Sequence, residues 1–440
     1  MKKVALTLAS VLAAVAFAPE ASAVPAFARQ TGMACDACHF NSYPILSAFG
    51  KSFKAAGYTM MGSQGKIEGE HGLSIPAELN MAVYLQHRIQ KRSGTDVAGT
   101  KTQNSGFGRI DFPDEFSLFA GGRVSEGIGS LTEIAIGSGA AGLAGTKLVF
   151  STEVGAMHTL VVPFTVNGLG PQYGFDLFAT GSTANGRPIE NQQTFTGSYF
   201  GTNTTASGVT LGVVSEDFHV TLTPWAQGFA TTNSKVTATE LGATYVRAAY
   251  TPTIAGFETG FGVQYYTGNG LKGIDAASLG KVQAPVVIAT TQQATIDANV
   301  NEATIIDAQA QGEVAGMPLG IYASYGTAPA STASKTNAYN GGTETKSHMG
   351  ILADVGVIPH VLNLQAGMSF AKTGVKLAGS NETDNAIVIG ARYKLRQNVK
   401  VAIAYSMMSG TSYDAGGSND ATTAQNAGKT LMNLILSTAF

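Results

Sequence analysis

The only two cysteines of this 440-residue chain stand in one short run, Cys35-Asp36-Ala37-Cys38-His39. Two thiols at this spacing can cycle between dithiol and disulfide, but redox pairs of that kind belong to a βαβ context. The residues after His39 do not supply one. A structural zinc site needs four ligands, and the chain has no second cysteine pair. Cys-x-x-Cys-His is the attachment signature of a c-type haem. Each thiol adds to one vinyl group as a thioether, and the adjacent histidine is held under the iron as proximal ligand. Cys35 and Cys38 are therefore assigned to covalent attachment, His39 to the iron, and one haem c is the expected cofactor.

The residues that must position this motif follow it directly. Ile45, Phe49, Phe53 and Ala56 recur at helical spacing. Pro44 suits the first turn of that helix, Lys51 and Lys54 fall on its other side, and Gly57 suits the position just past its end. Then comes "YTMMGSQG". A methionine thioether is a common second axial ligand and raises the potential, although methionine is also an ordinary packing residue. Met60 is the first candidate for the distal ligand, with Met61 and His71 as alternatives.

The first residues give the compartment. "MKKVALTLASVLAAVAFAPEASA" has a Lys2-Lys3 start, an apolar stretch and a small-x-small end, the pattern of a secretory signal peptide cut after Ala23. Its apolar part is too short to span a membrane as a helix. Haem attachment outside the cytoplasm requires export, so the two signals agree.

The remaining residues carry one persistent pattern. Charged residues make up 13% of the chain and the formal net charge is −2, which gives no reason to expect a nucleic-acid partner. Leu79, Met81, Val83, Leu85 and Ile89 alternate with polar neighbours, as do Leu362, Leu364, Ala366, Met368 and Phe370, and Val399, Val401, Ile403, Tyr405 and Met407. Period two over about ten residues is the signature of a transmembrane β-strand. Sixteen strands are predicted, at 76–90, 108–124, 127–137, 145–154, 156–168, 206–215, 217–231, 238–251, 256–267, 301–313, 316–327, 346–356, 360–372, 383–395, 398–409 and 429–440. Pro113 and Pro163 fall inside two of them, where each removes a ladder bond. Every second connection is tight; those between are mostly longer, and 167–205 and 268–300 are expected at the cell surface. The last strand ends on Phe440, with Met432, Leu434 and Leu436 on one face. The expected fold class is all-β, a porin-like antiparallel barrel of the outer membrane behind a small helical haem plug. Residues 1–23 are the signal peptide, 24–74 the plug and 75–440 the barrel.

"VPAFARQTGMACDACHF", "AFGKSFKAAGYTM" and "GLSIPAELN" resemble the fused monohaem cytochrome–porins of iron-oxidising bacteria, densely over Val24 to Asn80 and only in architecture beyond. The resemblance implies an oxidoreductase that takes single electrons from extracellular Fe(II) and passes them through the haem to a periplasmic c-type cytochrome. It implies attachment at Cys35 and Cys38, ligation by His39, and Met60 as a ligand candidate. Arg29 and Gln30 match the family's stretch before the motif, and Arg29 is the expected partner of a haem propionate. The plug is expected at the periplasmic side or inside the barrel. A different class of function is a haem-plugged porin, or a relay for a donor or acceptor other than Fe(II). Asp96, Glu190, Asp275, Glu344 and Asp414 are scattered over the loops and form no evident iron site.

Overall fold

The computed structural model describes residues 26–41, 43–93, 108–137, 140–181, 195–228, 238–274, 297–376, 382–410 and 428–440. The signal peptide with its cleavage point at Ala23 lies outside them, as do Asp96, Glu190, Asp275 and Asp414.

Sixteen long strands form one closed antiparallel barrel. They are β1 (Met81–Arg92), β2 (Arg109–Ser125), β3 (Ile128–Gly137), β4 (Ala140–Val154), β5 (Met157–Val166), β6 (Ala206–Val214), β7 (Phe218–Ala226) and β8 (Ala243–Tyr250). The circuit continues with β9 (Phe257–Gly268), β10 (Ala303–Val314), β11 (Met317–Ala328), β12 (Lys346–Ile358), β13 (Leu362–Lys372), β14 (Thr383–Arg396), β15 (Val399–Gly410) and β16 (Thr430–Ala439). β16 pairs with β1, so neither terminal strand is an edge, and Phe440 exchanges backbone bonds with Val83 at 2.7 and 3.0 Å. Closure removes the unpaired strand edge that an apolar C-terminal strand would otherwise expose.

The alternation decides which face is which. In β13, Asn363, Gln365 and Ser369 are buried while Leu364, Met368 and Phe370 are exposed. In β16, Asn433 is buried while Met432, Leu434 and Leu436 are exposed. Polar side chains turn into the lumen and apolar ones outward, the inversion expected where the outer face meets lipid. The connections 126–127, 155–156, 215–217, 251–256, 315–316, 359–361 and 397–398 are short and lie at one end. Ala315 and Gly316 both have positive φ, 52° and 77°, the backbone of a two-residue hairpin whose twist matches that of its strands.

Both proline-bearing strands are present. Pro113 sits where the β1–β2 register shifts between Gln86 and Arg88, a bulge that needs no N–H there. At Pro163 the β4–β5 pairing passes from Lys147–Phe164 to Phe150–Val161, so the missing donor falls in a gap of the ladder. The first strand begins at Met81 and not at residue 76, because Ser74–Pro76 pairs with Lys66–Glu68 in a separate small hairpin.

Among the described residues ahead of the barrel are three short helices, α1 (Ala26–Thr31), α2 (Cys35–Cys38) and α3 (Ala48–Ala55). α3 starts later than Pro44 because Ser47 caps it, its hydroxyl accepting from the Gly50 N–H at 3.2 Å. It ends in a Schellman turn. Gly57 takes φ 70° and donates to the Lys54 carbonyl, and Tyr58 donates to that of Phe53.

Two inserted segments occupy part of the lumen. Residues 170–181, expected at the surface, are buried inside the barrel. Phe175, Leu177 and Phe178 pack with Phe53 and Tyr58 of the N-terminal segment and with Val149, Leu160 and Val162 of the wall. Arg247 holds this insertion down, 3.4 Å from Asp176 and 2.9 Å from Asp307. The companion stretch 195–205 also turns inward, with Thr196 hydrogen-bonded to Ser324 and His348. Residues 182–194 and 275–296 lie outside the described residues.

Candidate functional site

The Cys35–His39 run is docked at the short-turn end of the barrel. The Asp36 carboxylate lies 3.3 Å from Lys394 Nζ of β14 and 3.5 Å from His360 Nδ1 in the turn 359–361. Asn41 donates to the Asp354 carbonyl of β12 at 3.1 Å.

Cys35 and Cys38 occupy a single helical turn, and His39 leaves it in extended backbone at φ −119°, ψ 124°. Two strands of contact then tie the motif to α3. Ser47 N–H donates to the Cys38 carbonyl at 2.9 Å, and the Ser47 hydroxyl donates to that of Ala37 at 2.7 Å. The His39 Nδ1 faces the Ile45 carbonyl at 3.2 Å. A carbonyl can only accept, so Nδ1 carries the proton and Nε2 keeps the ring's free lone pair. Burial, reinforced by the charge of Lys400, holds His39 down to about 4, so the imidazole is neutral near pH 7. Burial pushes the Cys35 and Cys38 thiols up. That is the reverse of the lowered thiol on which a redox Cys-x-x-Cys pair depends.

These three side chains line a cavity of about 400 Å³ within the lumen. Its apolar wall includes Phe27, Phe53 and Tyr58, with Phe27 stacked on Tyr58 at 4.8 Å between centroids. The buried insertion closes one side through Tyr173 and Phe178. Lys147 of β4 donates to the Tyr173 carbonyl at 2.8 Å and lies 4.3 Å over its ring. The pair of thiols, a neutral histidine with its Nδ1 tied back, and a flat-sided aromatic cavity fit a covalently held porphyrin.

Lys51 and Lys54 were expected on the outer side of α3; both are engaged in the barrel. Lys51 is buried and bonds to Glu258 of β9 and to Gln311 of β10. Lys54 reaches the Asp176 carbonyl of the insertion. Removing one partner of a buried ion pair costs about 3–5 kcal/mol, and the lower end applies here because Glu258 keeps 25% exposure.

Some of the expected site residues lie away from the cavity lining. Arg29 does not line the cavity; it is directed to the Met81 carbonyl at 2.9 Å in an exposed position. Its neighbour Gln30 is fully buried and joins the pieces, donating to the Tyr58 and Met60 carbonyls while accepting from Asn80 and from the Arg123 N–H. Met60 is 37% exposed and, like Met61 and His71, is not among the cavity-lining residues, whereas Met33 is. Met60→Ala is accordingly expected to leave the absorption spectrum of a haem-loaded protein unchanged; loss of a sulfur-to-iron band in that variant would return Met60 to the iron.

Sequence reading missed Arg392, Lys394 and Lys400, which all line the cavity. The available signal was their lumen-side phase in β14 and β15 of a chain so poor in charge.

No protein-family model matches the chain, and no curated protein matches it. Solved structures do. OprB of Pseudomonas putida aligns at TM-score 0.50 and 11% identity over 82% of this chain and 94% of its own. The outer membrane channel DcaP of Acinetobacter baumannii aligns at TM-score 0.46 and 11% identity, over 85% and 99%. A loop-deletion mutant of OmpT, an outer membrane protein of Vibrio cholerae, aligns at TM-score 0.46 and 11% identity, over 82% and 99%. The likeness is one of barrel architecture, a porin-like sixteen-strand fold.

Proposed function

We propose that this chain is an outer-membrane electron-transfer protein with haem c attached at Cys35 and Cys38 and ligated by His39. The observation that carries this reading is His39, tied back through Nδ1 to the Ile45 carbonyl, lining one lumen cavity together with Cys35 and Cys38. The signal sequence, the apolar outer face and the porin-like fold support an outer-membrane location, with the short turns and both chain ends on the periplasmic side.

When bound, haem c supplies a one-electron couple at its iron. The chain's own residues do the rest. Ile45 fixes the tautomer and orientation of His39. Phe27, Phe53 and Tyr58 give the cavity an apolar wall, and Lys51 and Asp36 fasten the N-terminal segment to the barrel. In the proposed reaction an extracellular Fe(II) ion loses one electron and becomes Fe(III), and a periplasmic c-type cytochrome gains that electron. No bond forms or breaks. The proposed transfer from Fe(II) is outer-sphere, which requires no tight ligand set on the chain.

The test is stopped-flow absorbance of the purified, haem-loaded protein mixed anaerobically with Fe(II). Reduction of the haem followed by reoxidation on adding a soluble c-type cytochrome is expected. An intact haem that stays oxidised over minutes would sink the Fe(II) assignment. It would leave a relay for another donor, or a haem-plugged porin. One feature favours that second reading: the buried insertion 170–181 covers the cavity from the long-loop end.

A further inference from the structure

We infer that Arg392, a residue of the barrel wall, is the receptor for a haem propionate, so that the bound group itself joins the N-terminal segment to β14. The inference rests on the haem reading above.

Arg392 is 5% exposed and lines the cavity, yet its Nη1 and Nη2 have no hydrogen-bond partner. A buried guanidinium offers a planar fork of donors suited to a carboxylate, and leaving it unpaired is costly. Asp354, the acid whose charge acts on Arg392, has its oxygens engaged by other donors. Asp354 accepts from Asn41 and Asn363 at Oδ1 and from Gln365 at Oδ2. Lys394 is likewise committed to Asp36. Among the described residues nothing hydrogen-bonds to Nη1 or Nη2 of Arg392, and the cavity it lines can admit an anion.

The formal charge of the cavity points the same way. Its cationic side chains are Lys54, Lys147, Arg392, Lys394 and Lys400. Its acids are Asp36, Glu133 and Asp176. By formal charge the cations outnumber the acids, which favours an anionic guest. A porphyrin held by thioethers at Cys35 and Cys38 brings two carboxylates on the edge away from its vinyl carbons. Arg29, on the exposed side of α1, has no access to them.

The experiment compares wild type with Arg392→Gln and Arg392→Lys by haem staining and by redox titration at several pH values. A cation beside the haem favours the reduced state, which carries one positive charge fewer. Arg392→Gln is expected to keep covalent haem, to lower the midpoint potential, and to make that potential fall as pH rises near neutrality, because an unpaired buried propionate takes up a proton. Arg392→Lys keeps the charge without the fork and should fall between. A wild type without covalent haem refutes the haem reading and this inference together. Haem present, with one potential and one pH profile in wild type and Arg392→Gln, refutes the inference alone. If neither variant accumulates, a structure of the wild-type holoprotein decides: a propionate within hydrogen-bonding reach of Arg392 supports the inference, and both carboxylates beyond it overturn it.

Discussion

A chain carrying Cys35→Ala and Cys38→Ala together is expected to contain no covalent haem, while its barrel still forms. The two thiols are the only ones in the sequence, so no other thioether can be made. Barrel closure depends on the β16–β1 pairing and the strand ladder, to which neither cysteine belongs. The two halves of the prediction are read separately. A haem-stained denaturing gel reports attachment, and far-ultraviolet circular dichroism in detergent reports the strands. A gel still positive for the double variant would remove the assignment of these residues. Loss of both signals would mean that the barrel needs the haem in order to fold, which the continuous ladder does not suggest. The single variants should retain one thioether each.

Gly50→Ala should loosen the N-terminal segment, against the ordinary effect of this substitution. Within a helix, alanine is favoured over glycine by about 0.5–1 kcal/mol, so propensity alone predicts a gain. At this position, however, an added Cβ would lie 2.1 Å from the Cys38 carbonyl oxygen and 2.9 Å from its carbon. Both are backbone atoms, which cannot swing aside as a side chain could. α3 must move off the motif, and with it go the Ser47 bond to the Cys38 carbonyl and the position of the Ile45 carbonyl at His39. Overpacking of this kind costs about 1–3 kcal/mol, more than propensity returns. The expected results are faster proteolysis within residues 26–80 and a broadened or shifted haem spectrum. Gly65→Ala is the control, since a Cβ there meets nothing within 4 Å. Equal protease resistance and identical spectra in Gly50→Ala and Gly65→Ala would show that the contact between α3 and Cys38 is not needed.

The sequence by itself determined the local and periodic features. Side chains on a strand alternate because of backbone geometry, so the polar-in, apolar-out phase of β13 is written in its residues. The strand number and the tight connections follow from that period and from turn residues such as Ala315-Gly316 and Asn398. The Cys-x-x-Cys-His run is legible within five residues as a motif, and Gly57 ends α3 through its left-handed backbone. Tertiary structure alone decided which distant residues meet the motif. Asp36 meets Lys394 across 358 positions, and Asn41 meets Asp354 across 313. No periodicity encodes such partners, because they depend on where the closed barrel places β12 and β14 relative to the N-terminal segment. For the same reason no sequence pattern pointed to Arg392, Lys394 and Lys400 as lining residues of the cavity beside the motif. The inward turn of 170–181 was hidden too. Its glycines and polar residues read as a loop, and only Arg247, Phe53 and the wall around Val149 supply the charge and apolar surface that draw it into the lumen.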